Sequence, residues 1–99
     1  MNNIFLKNEL VKYIIRKALD LPVDNIELKN IVGSTSYQLM IQIINNISTK
    51  LVVQKENHLR CGLCNKGPFT KRGLYLHLNR VHFNNILEEI DKRIRETTS

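Results

Sequence analysis

The sequence predicts an α+β protein: an N-terminal helix packed on a three-stranded antiparallel meander, joined to a small metal-binding unit with a C-terminally extended helix. Three observations carry that expectation. Apolar residues recur at helical spacing near both ends of the chain, they alternate at every second position in between, and two cysteines and two histidines stand at metal-ligand spacing. A chain of 99 residues supports one modest core, so an additional staple matters to its stability.

In residues 3–20, Ile4, Val11, Ile15 and Ala18, with Leu6, Leu10 and Ile14, follow three- and four-residue spacings and predict a helix with a broad apolar face. Asp20, Leu21 and Pro22 end it, because proline disfavours the helical region for the residue before it and brings no amide donor. Three runs with two-residue alternation follow: Ile26 and Leu28; then Tyr37, Leu39, Ile41 and Ile43; then Ile47, Thr49, Leu51 and Val53. They read as strands with one buried face. Turns are expected at Gly33-Ser34-Thr35 and at Asn45-Asn46. Two units result, a helix and meander over residues 1–57 and the metal-binding unit over residues 58–99, packed together.

Composition narrows the function. Apolar residues make up 42% of the chain and its formal charge is +6. No apolar run approaches the roughly 18 residues of a membrane span, and polar residues interrupt the start of the chain, so neither a span nor a secretion signal is expected. The expectation is a soluble, intracellular protein without membrane partners. Charge is concentrated: residues 58–83 hold Arg60, Lys66, Lys71, Arg72 and Arg80 and no acidic residue. Such a patch attracts phosphate backbones, although it also serves as a solubilising surface.

The chemistry lies in Cys61-Gly62-Leu63-Cys64, followed after twelve residues by His77 and, four further residues on, His82, a C-x2-C-x12-H-x4-H spacing. Two thiolates from a tight turn and two imidazoles from a helix can converge on one tetrahedral zinc ion. Four protein ligands leave no position for a substrate water, so such a site is structural. The alternative is a Cys61–Cys64 disulfide, or free thiols beside two surface histidines.

At about residues 58–83 the sequence resembles the C2H2 zinc-finger family. Leu59, two residues before the first cysteine, and Leu74, three before the first histidine, stand where members of the family place small-core apolar residues. Phe69 stands one residue later than the family's usual aromatic, which implies a slightly reshaped knuckle. Lone fingers attached to small unique domains, in chains rich in Ile and Asn, are also similar to small proteins of viruses that infect archaea. The family resemblance implies a helix that reads the DNA major groove, with Thr70, Gly73 and Leu76 at the base-contacting positions. These residues lack the bidentate pairs that discriminate bases. Binding of low sequence specificity is therefore expected, with Arg60, Lys66, Lys71, Arg72 and Arg80 on phosphates.

One helix is expected from about Lys71 to Glu96. Its acid-before-base pairs Glu88–Lys92, Glu89–Arg93 and Asp91–Arg95 support it, and Leu76, Phe83, Leu87, Ile90 and Ile94 form a heptad seam along it. The seam packs on the protein's own N-terminal unit, on a second copy in a homodimer, or on a partner protein. The sequence thus supports two functions: a zinc-dependent DNA-binding protein, as in a transcriptional regulator, or an interaction module presenting the seam. An enzyme is not expected, because the metal consumes the motif residues and neither paired carboxylates, a phosphate loop nor a nucleophile–base pair is visible.

Overall fold

The computed structural model describes residues 4–33 and 36–98. Among these residues, five helices and one hairpin follow in the order α1 (Ile4–Ala18), α2 (Asn25–Val32), α3 (Tyr37–Ser48), β1 (Val52–Lys55), β2 (His58–Cys61), α4 (Lys71–Val81) and α5 (Phe83–Thr98). The fold is α+β, but its sheet has two antiparallel strands and not the expected three-stranded meander. Among the described residues no helix is long and apolar enough to cross a membrane.

Helix α1 buries Leu6, Leu10, Val11, Ile14 and Ile15. It ends where expected, as Asp20 takes a left-handed conformation, φ 57°, ahead of Pro22. The two segments that follow depart from expectation. Where the first strand was expected, Asp24 caps a helix: its side chain accepts a hydrogen bond from the Glu27 amide at 3.0 Å, a capping arrangement that favours α2 over an extended run. Where the second strand was expected, α3 buries Met40, Ile43, Ile44 and Ile47 and leaves Leu39 exposed. Its buried spacing is three and four, not two. The many β-branched isoleucines favour strands by propensity, and tertiary burial of one helical stripe prevails over that preference. The third run survives only at its end, as β1. Ser34 and Thr35, expected in a turn, lie outside the described residues.

Strand β1 pairs with β2 in register Val52↔Cys61 to Lys55↔His58, so the expected boundary between residues 57 and 58 falls inside one hairpin. The expected single helix over 71–96 is divided, because His82 leaves helical geometry at φ −111°, ψ 13°. A physical reason lies in the histidine spacing. At 3.6 residues per turn, a step of five rotates a side chain by roughly 140° relative to the first. On an unbroken helix His77 and His82 would point to different sides, and the break lets both rings reach one centre.

Helix α1 packs against α3, α4 and α5, and α4 also lies on β2. Cys61, Leu74 and Leu78 belong to the same core as Ile14, Ile15, Ile44, Ile86 and Ile90. The α5 face therefore centres on Ile86 and Ile90. Of the expected seam, Ile90 is buried and Phe83, Leu87 and Ile94 pack partly against that core, while Leu76 is half-buried on α4. Glu89 and Arg93 form the expected ion pair at 2.9 Å. Asp91 instead meets Lys7 of α1 at 3.3 Å.

Candidate metal centre

The hairpin, the knuckle after it and the break between α4 and α5 converge on one point. Cys61 ends β2, Cys64 closes the knuckle, His77 lies on α4, and His82 occupies the break. One donor atom from each, four in all, lies within 4.8 Å of the other three. A tetrahedron with bonds of about 2.0–2.3 Å has edges of roughly 3.3–3.8 Å, so the cluster needs only a small contraction to enclose an ion. Cys64 Sγ already lies 3.3 Å from His77 Nε2.

Local backbone geometry shapes the knuckle. The Leu63 amide donates to Cys61 Sγ at 3.4 Å, the Asn65 amide to the Cys61 carbonyl at 2.8 Å, and the Cys61 amide to the Lys66 carbonyl at 2.9 Å. Gly62 ties this turn to the helical core. Its amide donates to the Leu51 carbonyl at 2.8 Å, and a Cβ there would sit 2.0 Å from the Lys50 carbonyl oxygen. No other residue fits without moving backbone.

Electrostatics and hydrogen bonding prepare the four donors differently. The Cys64 thiol is held down to about 6, chiefly by a backbone hydrogen bond from Lys66. Burial pushes the Cys61 thiol up. One ligand is thus prepared as a thiolate, whereas the other needs a cation to ionise it. His77 stacks on Phe69, ring centroids 4.8 Å apart. His82 Nδ1–H donates to Asn85 Oδ1 at 3.0 Å. That bond leaves the lone pair on Nε2, and His82 Nε2 is buried with no hydrogen-bond partner among the described residues. An orphaned buried acceptor beside two sulfurs and a second imidazole fits a cation. The four residues could hold a metal ion.

The residues expected to contact nucleic acid lie on β2, on the segment after it and on α4. Thr70 caps α4, its side chain accepting from the Gly73 amide at 3.0 Å. Since α4 begins at Lys71, Gly73 and Leu76 are its third and sixth residues. Lys66, Lys71, Arg72 and Arg80 are exposed and Arg60 is half-buried, the Arg60 guanidinium donating to the Asn65 carbonyl at 3.4 Å. Lys71 and Arg72 line one groove together with Arg16, Leu21 and Tyr75. Sequence reasoning missed Asn85, whose position three residues after the last histidine was the available signal.

Compared with protein-family models, with curated proteins and with solved structures, the chain matches none.

Proposed function

We propose that this protein is a zinc-dependent DNA-binding protein, a regulator of transcription that grips the phosphate backbone through a basic finger. Zinc is the ion that the donor set favours: two thiolates and two imidazoles in tetrahedral reach suit it, and four protein ligands make the site structural. The residues that would hold it are Cys61, Cys64, His77 and His82.

The observation that carries the DNA reading is the coincidence of that centre with the basic segment, five cations and no acid over residues 58–83. Phosphate contact is favoured over base readout for a structural reason. The Thr70 hydroxyl is occupied by the Gly73 amide, Gly73 has no side chain, and Leu76 offers at most an apolar touch to a thymine methyl. The alternative, an interaction module presenting Leu76, Phe83, Leu87, Ile90 and Ile94, draws less support. Ile90 is 1% exposed and Phe83, Leu87 and Ile94 lie against the protein's own core.

The test is fluorescence anisotropy of zinc-loaded protein with a random-sequence DNA duplex across a salt series. Micromolar or tighter binding is expected, with a steep salt slope that Lys71→Glu/Arg72→Glu flattens. No binding at low salt contradicts the reading.

A further inference from the structure

Three cations from two separate elements share one concave surface. Arg16 from the last turn of α1 and Lys71 and Arg72 from the first turn of α4 line a groove of about 490 Å³ with Leu21 and Tyr75, and no acidic residue lines it. We infer that this groove holds the DNA backbone alongside the finger, so that Arg16 of the first helix is a phosphate-binding residue. The inference rests on the DNA-binding reading and extends that interface beyond residues 58–83 onto the N-terminal part of the chain.

Charge sorting over the surface supports it. Acids neutralise several cations of α1 and α5: Lys7 pairs with Asp91, Lys12 with Glu9 and Arg93 with Glu89. No ion pair joins Arg16, Lys71 or Arg72 to a described acid. Glu9, Asp24 and Glu27 line a neighbouring groove that Arg16 also borders, yet none of them pairs with it. The first turn of α4 holds no acidic residue, so Lys71 and Arg72 stand against the helix dipole. Packing of α1 on α4 brings Arg16 to the same place. That concentration of like charge is unfavourable alone and becomes favourable when a polyanion fills the groove. The floor suits a nucleic-acid strand: Leu21 and Tyr75 are half-buried apolar surface for a sugar face. The Tyr75 hydroxyl, without a hydrogen-bond partner among the described residues, is a donor for a phosphate oxygen.

The experiment uses the full zinc-loaded chain and a random-sequence DNA duplex, with anisotropy measured from about 50 to 200 mM salt. Arg16 is exposed, so Arg16→Ala is expected to keep the circular dichroism spectrum of the wild type. It should weaken binding several-fold and lower the salt slope by about 1, the loss of one phosphate contact. Arg16→Lys should restore most of the slope. Lys92→Ala, the same change in net charge on α5, should leave it unchanged. A wild-type slope in Arg16→Ala, or equal losses in Arg16→Ala and Lys92→Ala, overturns the inference while leaving the DNA-binding reading standing. Absence of binding by the wild type overturns both.

Discussion

The helical core and the knuckle are held together by different physics. In α1, every turn from Leu6 to Ile15 puts apolar side chains into the interior. Over residues 52–70 Cys61 alone is fully buried, with Val52, Leu59, Arg60 and Phe69 half-covered. A fully buried Ile or Leu contributes about 1.5–3 kcal/mol, a source of stability that the knuckle lacks. Backbone hydrogen bonds such as Gly62 to Leu51 and Phe69 to Leu59 tie it down, and a metal held by the four donors would add the order that burial does not supply. Cys61 belongs to both regions, since its sulfur is a candidate ligand and its side chain is part of the core. The comparison teaches that the donor cluster lies where a well-buried helical core meets a sparsely buried hairpin, so that metal removal is expected to loosen the hairpin first.

Substitutions sort by which region they strike. Cys61→Ala should have the largest effect. It removes one of the four candidate ligands, and structural zinc contributes about 10–16 kcal/mol of apparent binding energy in finger peptides. Purified protein should lose its stoichiometric zinc, read by elemental analysis, and the hairpin its dispersed amide resonances. Zinc retained at one equivalent would break the comparison. Ile14→Ala strikes the other region: a fully buried side chain on α1 is replaced at a cost of about 2–5 kcal/mol. The melting temperature should fall by about 4–8 °C for each kcal/mol lost, with zinc content unchanged. Asn85→Ala leaves all four ligands in place and removes only the acceptor that orients His82. Competition with a chromogenic chelator should report a metal affinity weakened about 10–100-fold, and an unchanged affinity would exclude Asn85 from the centre. Thr70→Ala should have the smallest effect, about 1 kcal/mol from loss of the α4 cap. Thermal denaturation of the zinc-loaded protein measures it, and a change above about 2 kcal/mol would mean that Thr70 does more than cap.

Legibility in the sequence divides along the same line. The donor cluster could be read from spacing because ligand chemistry demands particular residue types within a few ångströms, and little else explains Cys61, Cys64, His77 and His82 together. Helix α1 could be read because its apolar face is continuous and its end is marked by Asp20-Leu21-Pro22. The middle of the chain could not be read by alternation. Tyr37, Leu39, Ile41 and Ile43 alternate, yet Met40, Ile43, Ile44 and Ile47 satisfy a helical stripe equally well, and only packing on α1 and α5 decides between them. The cap by which Asp24 accepts from the Glu27 amide starts α2, and the alternation of Ile26 and Leu28 carries no trace of it. The break at His82 was implicit in the five-residue separation of the histidines, which a continuous helix cannot place on one face. The heptad seam ran through that break, so Ile86, one of the most deeply buried residues, was missed in favour of Leu76.

Amide hydrogen–deuterium exchange of the full chain, with and without a zinc chelator, tests most directly the claim that metal removal loosens the hairpin before the well-buried helical core. Chelation should abolish protection at residues 52–70 and in the last turn of α4, while the amides around Ile14, Ile15 and Ile44 keep most of theirs. Unchanged protection of the hairpin after chelation would contradict the account, and so would loss of protection across α1 and α3 in the same step.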